Sequence, residues 1–181
     1  MASLPFFLFL IKLKNMAIPK KVIKFLNKNK IKYQSVEHRT VYTAYDKAAT
    51  LRVKPKVIGK TLLLRIDRDL AVVLIPGNRN LDKNKFKKLA SGWQKKQNRE
   101  AAKRIDFVSE KLMKSRFKGI KIGALPPFGS IWKLPTFIDN SLIKEKNIFV
   151  NSGIYESSFK LSPRIFEKIG AIKGVFSQAK K

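Results

Sequence analysis

The chain has 181 residues, with 40 lysines and arginines against 12 aspartates and glutamates, and its formal net charge is +28. Apolar residues make up 44% of the sequence and fall in short strand-like runs, which excludes a disordered basic tail and indicates one folded domain. Cysteine is absent and His38 is the single histidine, which excludes disulfides, thiol nucleophiles and metal sites built on several histidines.

The excess of positive charge limits the classes of partner. A surface of this kind attracts polyanions, so nucleic acid is the first partner to consider. A lysine-rich genome or a high-salt cytoplasm would produce the same bias, and charge alone gives salt-sensitive binding without sequence preference. The net charge therefore suggests a partner but does not identify a function.

The N-terminal residues form a short apolar segment. The run at 4–11 is too short to cross a bilayer as a helix and lacks the positive residues that open a secretory signal. We expect either that Met16 is the biological start or that residues 1–15 are a loosely packed extension, with residues 16–181 as the domain. A peripheral membrane anchor formed by 4–11 is the alternative.

The first half of the domain contains clear helix and strand signals. Pro19 opens a short amphipathic helix, a strand follows, and Thr43 can cap a second helix through "AYDKAATL". The runs "VIGKTLLLRI" and "LAVVLIP", separated by "DRD", predict two strands at the centre of a sheet. Asp82 begins a further helix, with Phe86 and Leu89 facing inward.

The second half begins with the polar segment 91–104, which predicts a solvated helix or excursion, with a binding arm as the alternative. Ser109 caps a helix that Gly119 ends, and two strand signals follow. Ser162 and Pro163 predict the start of a final helix. The order of elements predicts a single α/β domain with a mixed sheet.

The uncharged stretch "IGALPPFGSIW" lies between these helices and strands. Two prolines hold the backbone extended, while Gly123 and Gly129 on either side can adopt positive φ angles or allow close approach. This pattern predicts a stiff loop with exposed backbone N–H groups and a projecting ring, Phe128, suited to a small polar group. The alternative is a tight connection with Phe128 in the core.

Lys60 is the basic residue that the pattern singles out. It alternates with Ile58, Leu62 and Leu64, so it lies on the more apolar face of its strand. An ammonium group there needs an anionic or carbonyl partner, a lowered pKa, or a path along which it can extend to water. The first option makes Lys60 a ligand for a phosphate or a reacting carbonyl group.

Phosphate-loop, dinucleotide and zinc-hydrolase motifs are absent from the sequence. A Ser-His-Asp triad could form only through His38. A hydrolase built on this chain would therefore position a water molecule or use a group of its own substrate.

The motifs together resemble the YbaK/ProX family of aminoacyl-tRNA deacylases, related to the editing domain of bacterial prolyl-tRNA synthetase. The resemblance covers about 17–169 and rests on five motifs in the family's order: "EHRTVYTA", "VIGKTLLLRI", the pattern G-x-x-x-G-x-x-P-P-F-G, "FIDNSLI" and "FVNSGIYESSFKLSP". It implies a mixed, mostly antiparallel sheet flanked by helices.

The resemblance also implies a trans-editing enzyme that hydrolyses the ester joining a wrong amino acid to the tRNA 3′ end, with the substrate's own ribose hydroxyl helping to activate water. Lys60 is the implied catalytic residue, binding near the scissile ester or the terminal adenosine. The predicted substrate-binding residues are Thr43, Gly123, Pro127, Phe128, Gly129, Asp139, Asn151, Gly153 and His38, although a lone histidine after a strand is more often structural. Val41, Tyr42, Ile75 and Phe128 are predicted to line a small pocket.

The implied partner is mischarged tRNA, with an aminoacyl-tRNA synthetase as a second candidate. We expect a cytoplasmic monomer without cofactor, metal or membrane association. The N-terminal extension, the very high charge and the polar segment 91–104 depart from the family. The alternative is a basic RNA-binding or ribosome-associated domain without catalysis.

Overall fold

The computed structural model describes residues 18–180, so the expectations for residues 1–15 and for a start at Met16 lie outside the described residues. The helices of this part are α1 (Lys20–Lys28), α2 (Ala44–Leu51), α3 (Lys83–Lys95), α4 (Glu110–Arg116), α5 (Asn140–Ile143) and α6 (Ile165–Lys168). The strands are β1 (Tyr33–Glu37), β2 (Gly59–Ile66), β3 (Asp69–Pro76), β4 (Arg79–Leu81), β5 (Ile105–Phe107), β6 (Thr136–Asp139), β7 (Ile148–Asn151), β8 (Ser157–Leu161), β9 (Ile172–Gly174) and β10 (Ser177–Ala179).

The strands form three sheets. The largest has the order β5-β2-β3-β6-β9, in which β2 pairs antiparallel with both of its neighbours and β6 pairs parallel with β3 and β9. The second sheet, β1-β8-β7, and the third, β10-β4, are antiparallel. The prediction of a single α/β domain with a mixed, mostly antiparallel sheet is confirmed.

The β2–β3 hairpin lies at the centre of the large sheet, as predicted. Its turn contains Asp67 at φ 56°, and the carboxylate of Asp67 accepts hydrogen bonds from the backbone N–H groups of Lys103 and Arg104. Residues 71–76 of β3 are all buried, because α3 and its aromatic residues cover one face of the sheet and a second apolar cluster covers the other. This hairpin is the rigid support from which Lys60 projects.

Side-chain capping begins four of the described helices, and Asp139 caps α5. The hydroxyl of Thr43 accepts from the N–H of Asp46, Asp82 caps α3 and Ser109 caps α4, as predicted. The prediction for Ser162 is wrong, because α6 begins after Arg164 without a side-chain cap and runs for four residues only. The sequence reading also missed β9 and β10, which follow α6.

The polar segment 91–104 is partly helical, since α3 continues to Lys95 before the chain turns back towards β5. The hydroxyl of Ser91 accepts from the N–H of Ala102 and closes this excursion. The prediction of a solvated helix or excursion agrees with this arrangement. None of the helices within 18–180 is both long enough and apolar enough to cross a membrane.

Candidate functional site

A cleft of about 290 Å³ opens where the first turn of α2, the beginning of β2, the loop around Gly123 and the end of β7 meet. Buried residues, among them Val41, Ile58 and Ala124, form its inner part, and exposed residues form its mouth. The cleft is lined by Val41, Tyr42, Thr43, Ala44, Tyr45, Lys47, Ile58, Gly59, Lys60, Thr61, Gly77, Gly123, Ala124, Asn151, Ile154, Tyr155 and Lys180.

Lys60 reaches the cleft from β2. Alternate residues of its strand, Leu62 and Leu64, pack in the core cluster beneath α3, which confirms that Lys60 lies on the apolar face. Its Nζ donates a 2.8 Å hydrogen bond to the main-chain oxygen of Arg79. Burial lowers the pKa of Lys60, and the charge of Lys180 lowers it further. An ammonium group has three donors, so two N–H groups remain for a ligand.

Lys47 is a second lysine in the cleft, and the sequence reading missed it. It lies on α2, is only 8% exposed, and its Nζ donates to Oδ1 of Asn151 at 2.6 Å. Burial lowers its pKa to about 8. The signal was present in the sequence, because Lys47 falls on the helical stripe of Ala44, Ala48 and Leu51, which packs in a small core cluster.

Asn151, a predicted binding residue, connects Lys47 to the glycine and proline loop. Its Nδ2 donates to the main-chain oxygens of Gly123 at 3.1 Å and Leu125 at 3.4 Å. The hydroxyl of Tyr155 donates to the oxygen of Ile122 at 2.7 Å and holds the same loop. The loop edge at Gly123, which has φ 80°, is therefore fixed against the cleft.

The rest of that loop enters the protein interior. Pro127, Phe128 and Gly129 are buried and do not line the cleft, and the prediction of a projecting Phe128 ring is wrong. The ring lies 5.5 Å from the ring of Phe25 and 6.0 Å from that of Phe166, measured between centroids. The alternative prediction, with Phe128 in the core, is the arrangement found, because these apolar neighbours bury the ring completely.

Three other predicted residues also lie outside the cleft lining. Asp139 is buried and accepts from the N–H groups of Ser141, Phe176 and Ser177. Burial alone would raise the pKa of Asp139, but these hydrogen bonds lower it below the ordinary value. The carboxylate thus ties α5 to the segment that leads into β10.

Gly153 and His38 are the other two predicted residues that lie outside the cleft lining. Gly153 has φ 111°, and a Cβ at this position would lie 2.9 Å from the Cδ of Pro19, so the position requires glycine. His38 Nε2 lies 2.9 Å from the hydroxyl of Ser158, and its Nδ1 lies 2.9 Å from the main-chain oxygen of Arg39. Burial is the main cause that lowers the pKa of His38. Of the predicted pocket wall, Val41 and Tyr42 line the cleft, whereas Ile75 lies in the core.

The mouth of the cleft is aromatic and positively charged. Tyr42 is 74% exposed and packs edge-on against Tyr155 with 4.9 Å between ring centroids. Lys180, which follows β10, places its Nζ 4.1 Å from the ring centroid of Tyr45. The lining contains three lysines and no aspartate, glutamate or histidine. Among residues 18–180, the histidine, aspartate and glutamate side chains do not form a group of three or more that could hold a metal ion.

Together the fold and the cleft define a single α/β domain with a small, lysine-lined binding site. The sequence profile of the aminoacyl-tRNA editing domain matches residues 38–169, which is more than half of the chain. The chain belongs to the aminoacyl-tRNA editing domain family, the YbaK family.

Solved structures share the fold. The crystal structure of a hypothetical protein, APE2540, superposes with a TM-score of 0.74 at 22% identity, covering 87% of this chain and 99% of that one. A proposed trans-editing enzyme for prolyl-tRNA synthetase superposes with a TM-score of 0.73 at 20% identity, covering 88% and 96%. At sequence identities this low, the structural similarity establishes a shared fold.

Proposed function

We propose that this protein is a trans-editing aminoacyl-tRNA deacylase, which hydrolyses the ester between a wrongly attached amino acid and the 3′ end of tRNA. The observation that carries the proposal is that Lys60 and the Gly123 loop edge, two separate sequence motifs, line the same cleft in a domain of the editing family. The reaction consumes water, breaks the ester C–O bond, and releases the amino acid and a free ribose hydroxyl.

Lys60 is the group that binds the reacting end of the substrate. Its two remaining N–H donors can bind the ester carbonyl oxygen or the terminal adenosine, and a carbonyl oxygen bound this way is stabilised as negative charge develops on it. The lining residues supply no carboxylate or imidazole base. We therefore assign activation of the water to the vicinal ribose hydroxyl of the substrate itself.

The Gly123 loop edge and Asn151 enclose the aminoacyl group. The cleft volume of about 290 Å³ suits a compact amino acid. This is expected of an editing site, which must admit the small amino acids that a synthetase pocket cannot reject. Thr43 lies in the same lining, just before α2. We expect Pro127, Phe128 and Gly129 to act indirectly, by holding the loop in shape from the core.

The mouth of the cleft fits an RNA 3′ end. The exposed ring of Tyr42 offers a stacking surface for a base, and its edge contact with Tyr155 keeps that surface in place. Lys60 and Lys180 line the same cleft, and the net charge of +28 attracts the rest of the tRNA. We also propose that the protein acts on tRNA in the cytoplasm as a monomer. An aminoacyl-tRNA synthetase is the second partner in this proposal.

The test is release of amino acid from a panel of misacylated tRNAs, beginning with alanyl-, cysteinyl- and seryl-tRNA. The wild type is expected to release at least one amino acid faster than spontaneous hydrolysis, and Lys60→Ala is expected to remove that release. Release at the spontaneous rate from every charged tRNA tested would contradict the deacylase proposal.

The net charge favours a second candidate, a basic RNA-binding domain without catalysis. In that case RNA affinity falls steeply with salt concentration. It is not changed by removing Lys60, because that is one charge among 40 basic residues. Binding without turnover, equal in the wild type and in Lys60→Ala, would favour this candidate.

A further inference from the structure

We propose that Lys47, held in position by Asn151, forms a specificity site that binds the side chain of the aminoacyl group, and that this site favours a side chain with a carboxylate. The proposal rests on the proposed deacylase function, since it assigns the part of the substrate that enters the cleft most deeply. It concerns a group that the ester chemistry described above leaves unused, the ammonium of Lys47, which donates to the amide oxygen of Asn151.

The hydrogen bonding of Lys47 leaves room for a ligand. One of its three N–H donors is bound to Oδ1 of Asn151. Among residues 18–180, no carboxylate forms an ion pair with Lys47. A buried ammonium group whose partner is a neutral amide is incompletely compensated, so an incoming carboxylate would supply the missing counter-charge.

The position of Lys47 identifies which part of the substrate it meets. Lys180 is exposed at the mouth and Lys60 is half-buried, whereas Lys47 lies among the buried lining residues with Ala124 and Asn151. The RNA phosphates are attached to bulky riboses and remain at the mouth with Lys180, while Lys60 binds the ester carbonyl oxygen or the terminal adenosine. The group that reaches Lys47 is then the amino acid side chain.

The rest of the lining agrees with an anionic ligand. It contains no aspartate or glutamate that would repel a carboxylate. The Oγ1 atom of Thr61 is buried in this lining without a hydrogen-bond partner among the described residues, which leaves an additional polar group for a ligand. Burial already holds the pKa of Lys47 near 8, so the group is still mostly protonated at neutral pH and can bind an anion.

The experiment measures binding of non-hydrolysable substrate analogues. The probes are adenosine analogues with aspartate, asparagine or alanine joined to the 3′ position by an amide bond, titrated calorimetrically into the full chain. We expect the wild type to bind the aspartyl analogue about tenfold or more tightly than the alanyl analogue, with the asparaginyl analogue between them. In Lys47→Met this preference is expected to disappear.

Lys88→Met is the matched control, because Lys88 is an exposed lysine of α3 outside the cleft lining. It is expected to keep the wild-type preference. Because each comparison is a ratio of two analogues on one protein, a general loss of folded protein would not change it. Equal binding of the aspartyl and alanyl analogues by the wild type, an unchanged preference in Lys47→Met, or no binding of either analogue would overturn the proposal.

Hydrolysis of charged tRNAs, measured separately, distinguishes the two proposals. A protein that releases alanine or serine but binds the analogues equally remains a deacylase and lacks this specificity site. A protein that binds the aspartyl analogue through Lys47 but hydrolyses no ester has the binding site without the deacylase activity.

Discussion

The Nζ of Lys60 donates to the main-chain oxygen of Arg79 across 2.8 Å, and this bond joins the central hairpin to the small β4–β10 sheet. The acceptor is a neutral carbonyl group, so the positive charge of Lys60 is not cancelled by an acidic partner there. The bond also fixes the direction of the side chain along the cleft. Lys60 is thus preorganised to present its remaining donors to a ligand.

Lys60→Ala is expected to lower kcat by about a hundredfold or more while changing the tRNA dissociation constant by less than about threefold. The reason is that one charge matters to the reacting ester but little to a protein with 40 basic residues. Single-turnover hydrolysis and filter binding separate the two effects. Lys88→Ala serves as the surface control, and a parallel loss of binding and turnover in Lys60→Ala would contradict this assignment.

Tyr42→Ala is expected to weaken binding of an RNA ending in adenosine by about 1–3 kcal/mol, because it removes the exposed stacking surface. Tyr42→Phe retains a ring and is expected to bind like the wild type. Fluorescence titration with this RNA, and with the same RNA carrying an abasic 3′ residue, measures the effect. If Tyr42→Ala weakens both RNAs equally, the ring does not contact the terminal base.

Lys47→Met is expected to raise the free energy of unfolding at neutral pH by about 1–3 kcal/mol, because burying the ammonium group costs stability. The pKa of Lys47 is about 8 in the folded protein against an ordinary value of 10.5. Between these values the unfolded chain binds more protons, so the stability of the wild type rises with pH there. Below about 8, both states are protonated and the full cost is present.

The advantage of Lys47→Met over the wild type should therefore shrink as pH rises from about 8 to about 10.5. Urea unfolding at a series of pH values measures it, with Lys88→Met as the control for loss of a surface charge. A destabilisation by Lys47→Met that is the same at every pH would show that packing or the bond to Asn151 outweighs the cost of desolvation.

Gly129→Ala and Gly123→Ala separate the two roles of the loop. A Cβ on Gly129 would lie 2.6 Å from the oxygen of Leu134 and 2.7 Å from Oγ1 of Thr136, so we expect a loss of about 3 kcal/mol in stability. A Cβ on Gly123 meets nothing within 4 Å, and its φ of 80° alone should cost about 1 kcal/mol.

Thermal unfolding and hydrolysis, measured together on both variants, test this contrast. Because Gly123 lines the cleft and Gly129 does not, Gly123→Ala should lose more activity per unit of stability lost. A Gly129→Ala variant that is as stable as Gly123→Ala would contradict the packing described for the loop.

Local patterns predicted the parts of this fold that depend on neighbouring residues. The caps at Thr43, Asp82 and Ser109 follow from a short polar side chain beside free backbone donors, which is a local matter. The alternation of apolar residues in β2 predicted that Lys60 lies on an apolar face, because successive side chains of a strand point to opposite faces of the sheet. The final helix was predicted with the wrong cap, and the strands β9 and β10 were missed, since such short elements show little periodicity.

The sequence by itself determined the family, the central hairpin, and the choice of Lys60 and Gly123 as candidate site residues. Each of these depends on a motif or on the spacing of neighbouring residues. Only the tertiary structure decided which motif residues share a cleft: it placed Asn151 against the Gly123 loop, and Phe128 and Asp139 in the interior. It also brought Lys47 and Lys180, which belong to none of the five motifs, into the same cleft. The physical reason is that burial and contact between distant segments depend on how helices and sheets pack, which spacing along the chain does not encode.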